Sequence, residues 1–167
     1  MNAHIETERK FLIAMPRHDA LMQREGARCD RILQTYLLSE EGTTWRVRLR
    51  ESADGHIRYT ETKKRRIHAL SSVEEEREIG EEQYRALLGR ADPACCPIEK
   101  LRYTVPHGDL LLEIDVYPFW HRTAVLEVEL PSPDTPLALP DYLRVLREVS
   151  DDVRYKNASL ARSVPAE

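Results

Sequence analysis

Hydrophobic and polar residues alternate with a period of two over most of the first 130 positions, the spacing that sets one face of a β-strand on a core. Segments 3–14, 31–39, 44–51, 56–64, 72–79, 98–106, 109–117 and 123–130 carry the alternation. Turn signals such as "EEG", "ADG", "HGD" and "YPFWHR" separate them. Helical spacing is confined to short pieces. "PRHDALMQREG" opens on Pro16 and closes on Gly26, and "GEEQYRALLGR" has acidic residues in its first turn with Tyr84, Leu87 and Leu88 on one face. Beyond residue 130 a proline-rich loop, "PSPDTPLALP", leads to "DYLRVLREV", which reads as a helix. "KNASLA" reads as a last helical turn. Eight strands predict a mainly β (α+β) chain: an eight-stranded antiparallel sheet, closed into a barrel that leaves no edges, with a few peripheral helices.

The polar half of the alternation is unusual. In "IETERKFLI", Glu6, Glu8 and Lys10 share one face, and Ile5, Thr7, Arg9, Phe11 and Ile13 the other. "WRVRLR" sets Arg46, Arg48 and Arg50 against Trp45, Val47 and Leu49. "EEEREI" groups Glu76 and Glu78, with Glu74 on the same parity. "EKLRYTV" pairs Lys100 with Arg102, "LEIDVY" pairs Glu113 with Asp115, and "LEVEL" pairs Glu127 with Glu129. An ordinary amphipathic sheet would wet such faces. Like charges two positions apart on one face, however, lie about 6.6 Å from each other. They repel by about 2.5 kcal/mol at an effective dielectric of 20, and by about 0.6 kcal/mol in bulk water. A surface built for solubility alone mixes its signs. Here nearly every doublet has one sign, and acidic and basic doublets lie on different strands. Repulsion tolerated this often implies a ligand that relieves it.

The charges suggest what that ligand is. Arginine forks match phosphate oxygens two at a time, while lysine acts as a point charge. Arg46, Arg48, Arg50, Lys100, Arg102 and one of Lys63 or Lys64 therefore suit a substrate with several phosphates. Carboxylate pairs cannot bind phosphate directly but hold divalent cations, and magnesium favours one or two carboxylates plus substrate oxygens. The combination points to phosphoryl transfer, in which catalysis is mostly positioning and charge stabilisation.

Composition narrows the alternatives. A chain of 167 residues suits one domain, 1–167, and 32% charged residues against 41% hydrophobic mark it as globular but rich in charge. With 25 basic and 29 acidic residues the formal net charge is −4, which argues against a generic nucleic-acid binder. Cys29, Cys95 and Cys96 offer neither a C-x-x-C metal spacing nor a disulfide framework, and read as reduced thiols of a cytoplasmic protein. No apolar signal core and no membrane-length apolar run is present, so a cytoplasmic protein without a membrane partner is expected. The six histidines form no H-x-x-x-H pair, and the lack of a glycine-rich phosphate loop excludes a P-loop enzyme. "KKRR" reads as a solvated turn with one inward lysine, and "PFWHR" as aromatic packing on the barrel exterior.

These residues resemble a known family. "IETERKF" is similar to the E-x-E-x-K signature of the CYTH superfamily, the triphosphate tunnel metalloenzymes. Further motifs follow in the family's order over nearly the whole chain: "QTYL", "RVRLR", "TKK" (Thr62 and Lys64), "EREI", "EKLRY", "EIDVY", "EVEL" and the closing "RYKNASLA". The resemblance implies an eight-stranded barrel whose charged interior forms a tunnel, so the charged face of the first strand should look inward. It implies metal-dependent hydrolysis of a triphosphate, foremost inorganic tripolyphosphate, with Mg2+ or Mn2+. Alternatives are an adenylate cyclase, a thiamine or nucleoside triphosphatase, and a polyphosphate- or nucleotide-binding module without turnover. It further implies phosphate contacts from Lys10, Arg46, Arg48, Arg50, Lys64, Lys100 and Arg102, where the arginine pair is either 46/48 or 48/50 and a bulge would exchange Lys64 for Lys63. Metal ligands would come from Glu6, Glu8, Asp115, Glu127 and Glu129, and the catalytic set from Glu6, Glu8, Lys10, Tyr36, Glu76 and Glu78. In "LEIDVY" the family pattern emphasises Asp115 over Glu113, and Arg154 and Lys156 either approach the tunnel mouth or are simple surface charge, the second reading being favoured. The expected partner is a small triphosphate-containing molecule, with no stable nucleic-acid partner, and the protein would act as a monomer or homodimer.

Overall fold

The computed structural model describes residues 2–68 and 70–167. Each predicted strand forms: β1 (Asn2–Ala14), β2 (Arg28–Leu37), β3 (Thr43–Glu51), β4 (Ile57–Arg66), β5 (Ser71–Ile79), β6 (Ile98–His107), β7 (Leu110–Val116) and β8 (Thr123–Glu129). They pair antiparallel in the order β5-β4-β3-β2-β6-β7-β8-β1, and β5 returns to β1 to close the barrel. Short helices α1 (His18–Met22), α2 (Glu81–Leu88) and α3 (Asn157–Leu160) lie at its periphery, the first two in the predicted segments and the third within "KNASLA".

The predicted helix over 141–149 does not form. Part of it is a ninth strand, β9 (Val145–Glu148), and the reason lies in the main chain of β1. β5 covers one edge of β1 only from Asn2 to Thr7. Beyond that point the amide of Glu8 donates to the carbonyl of Leu70, the amide of Val149 donates to the carbonyl of Lys10, and β9 pairs with Phe11–Ile13. Backbone groups at a seam need partners, and satisfying them outweighs a helical spacing of apolar side chains. Val145 and Leu146 are left exposed as a result.

Apolar side chains pack mostly outside the barrel. Phe11, Ile13, Val105, Leu112, Ile114, Leu126 and Val128 meet Leu21 of α1 and Leu130 and Leu143, which flank the proline-rich segment. Leu37, Val47 and Ile79 meet Tyr84 of α2. A third cluster fills interior positions toward one end, where Leu12, Tyr36, Ile98, Tyr117 and Val125 are met by Trp120, Val149, Tyr155 and Leu160. Trp120 is thus buried in this plug and not spread on the exterior, whereas Phe119 stays partly exposed and stacks on Tyr117. Among the described residues no helix is long and apolar enough to cross a membrane.

Candidate functional site

The alternation that buries Phe11 and Ile13 outside β1 turns Glu6, Glu8 and Lys10 inward, and the same parity operates on every other strand. The inward side chains line a cavity of about 400 Å³. It gathers Glu6, Glu8 and Lys10 (β1), Tyr36 (β2), Arg46, Arg48 and Arg50 (β3), Lys64 (β4), Glu76 (β5), Arg102 (β6), and Glu127 and Glu129 (β8). All three arginines of β3 face the cavity, so neither arginine pairing excludes the other. Lys64 points inward, while Lys63 is exposed and lies over the ring of Trp45.

Three expected residues are not at the cavity. Glu78 has the right parity but sits near the end of β5, opposite Thr60, exposed and outside the lining. Glu74 takes that place, buried between Lys64 and His4 in the ladder. Lys100 and Asp115 are sealed beneath the cavity, with side chains 0% exposed, and lock onto each other at 2.6 Å. Glu113 lines the cavity where Asp115 was expected. Of the two readings for the last segment, Lys156 takes the cavity mouth, half-buried in its lining, and Arg154 the surface, exposed and paired with Asp152.

The charges inside divide into anchored and unanchored groups. Lys64 contacts Glu6, and lies 3.6 Å from Glu74 and 3.9 Å from Glu8. Burial opposes its charge, but Glu8 and Glu6 outweigh burial and raise its pKa. Lys10 reaches Glu127 at 3.0 Å. Arg102 spreads over Asp115 (2.7 Å), Glu127 (2.9 Å) and Glu113 (2.5 Å). Burial alone would raise Asp115, yet Arg102 and Lys100 hold its carboxyl below the ordinary range. Lys100 is pulled down to about 7, first by burial and then by Arg102 and Arg48, against the attraction of Asp115.

Arg48 is different, and Arg46 only in part: burial opposes the charge of Arg46, but Tyr36, Glu74 and Glu76 outweigh burial and raise its pKa. Arg48 donates to Gln34 Oε1 at 3.2 Å, but its Nε is buried without a hydrogen-bond partner, as is the Nε of Arg46. Burial, then the nearby Arg46 and Arg102, push Arg48 down to about 10. Buried unpaired donors are costly. Elsewhere the excess is negative: Glu8 is raised by burial and by Glu127, and Glu129 by burial and by Glu6. One part of the cavity thus lacks an anion and another a cation.

The unbalanced carboxylates are hard oxygen donors, a set that suits Mg2+ or Mn2+ in kind. Glu6, Glu8, Glu127 and Glu129 are the residues that would hold such an ion. Among the described residues no three metal-ligating side chains are gathered into a finished cluster; Lys10, Lys64 and Arg102 hold several of the carboxylates instead.

The far wall comes from the chain's last segment. Lys156, Asn157 and Ala158 line the cavity beside Arg66 and His68, and Asn157 accepts from Tyr117 (2.6 Å) and Lys100 (3.3 Å). Lys156 is lowered to about 8 by burial, then by Arg66, Lys10 and Lys64, with Glu8 opposing. The strand alternation does not mark this residue, although "RYKNASLA" contains it, because it follows a single turn of 3-10 helix and reaches the cavity only through tertiary packing.

No family model and no curated protein matches the chain. Among solved structures, that of the inorganic triphosphatase NE1496 aligns over 96% of this chain and 97% of its own, with 28% identity and a TM-score of 0.57. A second structure of NE1496, described as a hypothetical protein, gives 29% identity over 96% and 99% of the two chains and a TM-score of 0.58. The PH1012 protein of Pyrococcus horikoshii OT3 shares the fold, aligning over 77% of this chain and 80% of its own with 16% identity and a TM-score of 0.56.

Proposed function

Because this chain belongs to the CYTH, or triphosphate tunnel, family, we propose that it hydrolyses a triphosphate inside its barrel, with inorganic tripolyphosphate as substrate and Mg2+ or Mn2+ as the required ion. The observation that carries the reading is the pair Arg46 and Arg48 on the cavity wall, whose Nε donors are buried and unpartnered. A polyanion supplies the acceptors they lack. Arg46, Arg48, Arg50, Lys10 and Lys64 grip the phosphate chain from three sides of the barrel. Burial raises the pKa of Tyr36 despite Arg46 and Arg48, so its hydroxyl stays protonated and can donate to a phosphate oxygen. The ion, held by Glu6, Glu8, Glu127 and Glu129, would neutralise phosphate charge and activate water. One water is consumed, and tripolyphosphate becomes phosphate and pyrophosphate.

The inorganic substrate is preferred over a nucleotide or thiamine ester for a reason of surface chemistry. The flat ring of an adenine or thiamine leaving group calls for an aromatic shelf to stack on. Among the described lining residues Tyr36 is the only tyrosine, phenylalanine or tryptophan. The test is phosphate release from tripolyphosphate, ATP and thiamine triphosphate, each with Mg2+, with Mn2+ and with chelator, and with cyclic AMP measured in the ATP samples. Metal-dependent release from tripolyphosphate is expected. Tight binding with no turnover under any condition would leave a binding module and overturn the reading.

Two further outcomes are expected. Glu129→Gln should lose metal-dependent turnover while its melting temperature stays close to wild type, since Glu129 is exposed at the rim; normal turnover would remove it from the ligand set. Lys156 is protonated below about 8, so it adds a positive charge at pH 7 and little at pH 9. Tripolyphosphate affinity measured in chelator should weaken across that interval, binding being coupled to proton uptake there. Lys156→Met should flatten this part of the profile, and an unchanged slope would place the titration elsewhere.

A further inference from the structure

The strand β7 presents two acidic residues to the interior, and the structure separates their roles. Asp115 has both oxygens engaged: Oδ1 accepts from Arg102 Nε at 2.7 Å, and Oδ2 accepts from Lys100 Nζ at 2.6 Å and Arg102 Nη2 at 2.7 Å. Tyr117 adds a longer contact to Oδ2 at 3.5 Å. Two cations press on this one carboxylate, which has no exposed surface and does not reach the cavity. A dication approaching it would meet both positive charges first. Glu113 is the opposite case. Its side chain is 33% exposed, it lines the cavity, and among the described residues its one ion pair is with Arg102 Nη1. It also lies directly across the β7–β8 ladder from Glu127, a like-charge juxtaposition that is destabilising unless something positive bridges it. Arg102 bridges it now.

We propose that Asp115 is a positioning residue that fixes the Lys100 and Arg102 side chains, and that Glu113 is the β7 carboxylate that faces a divalent cation beside Glu127. The inference rests on the metal-dependent reading above for Glu113, but not for Asp115. A second feature of the same cavity points to a bound anion on the other side of Arg102: the buried, unpartnered Nε of Arg48. Asp115 would then hold Arg102 within reach of that anion, as a second carboxylate holds a ligating group at many metal and phosphate sites.

Two binding measurements test the assignment without turnover. Mn2+ alone is titrated into the whole protein and the free ion followed by its paramagnetic resonance signal; tripolyphosphate alone is titrated calorimetrically in chelator. Glu113→Gln should weaken Mn2+ by about tenfold or more. Asp115→Asn should keep wild-type Mn2+ affinity and weaken tripolyphosphate by about tenfold, because Arg102 is no longer held in place. Should Asp115→Asn fail to fold, Asp115→Glu keeps the charge but displaces Arg102, and the same two results are expected of it. Loss of Mn2+ binding in an Asp115 variant overturns the assignment, and so does full retention in Glu113→Gln. Wild-type protein that takes up no Mn2+ would sink the metal half of the proposed function together with the role of Glu113. The chelator titration would still decide Asp115.

Discussion

Arg102→Ala should lower folding stability by about 3–5 kcal/mol, the range observed when one member of a buried ion pair is removed. For a chain of this size that is roughly 6–20 °C in melting temperature. Arg102 is 5% exposed and sits among Asp115 (0%), Glu127 (7%) and Glu113. Truncation leaves Asp115 with Lys100 only, and leaves Glu113 and Glu127 facing each other without a bridge. The pH dependence has a definite sign. Arg102 helps hold Asp115 low and Glu127 well below the ordinary range, in each case against burial. Their contribution is therefore present above the ordinary carboxylate range and is lost as pH falls through the lowered values. In the variant both carboxyls move up, so the deficit relative to wild type should be full near pH 7 and shrink as pH falls through the ordinary carboxylate range toward the lowered wild-type values. Adding Glu113→Gln to Arg102→Met should recover part of the loss, because the second change removes the carboxylate that had paired with Arg102 and its repulsion of Glu127 across the ladder. Thermal and denaturant unfolding of the four proteins measures this. A single variant within about 1 kcal/mol of wild type would mean that the network is ornamental, as exposed ion pairs commonly are.

The same network marks the limit of what the chain's pattern discloses. A period of two tells which face a side chain takes, and Glu6, Lys10, Arg48 and Glu127, of inward parity, line the cavity. It does not tell how deep along the barrel axis each position lies. That depth depends on register, which staggers from strand to strand: Glu74 is level with Lys64 and His4, while Glu78 of the same parity is level with Thr60 near the strand end. Lys100 and Arg102 differ by two residues, yet one lies below the floor of the cavity and the other on it. Charge pattern alone predicts phosphate contacts for both. β9 was illegible for another reason, since its cause is the unpaired edge of β1 beyond Thr7, more than a hundred residues away in sequence. Lys156 is the same kind of case: Asn157 next to it is fixed by Tyr117 and Lys100, and that contact sets Lys156 against the cavity.

Arg48→Gln should bind tripolyphosphate about 10- to 150-fold more weakly than wild type, the span that corresponds to losing a charge-assisted contact of about 1.5–3 kcal/mol. In the absence of ligand the same variant should be as stable as wild type or more so. The two effects have one origin. Arg48 is 9% exposed, donates to Gln34, and is brought down to about 10 by burial first and then by repulsion from Arg46 and Arg102. Its charge is an expense to the empty barrel and an asset only when an anion arrives, which is how a preorganised binding site differs from a structural ion pair. Arg102, with three carboxylate partners, belongs to the second kind, and its removal should cost stability first. Calorimetric affinity in chelator and ligand-free melting temperature, measured on Arg48→Gln and Arg102→Ala side by side, separate the two. If Arg48→Gln destabilises the empty protein as much as Arg102→Ala does, the arginine is a strut of the fold and the cavity's missing anion must be sought elsewhere.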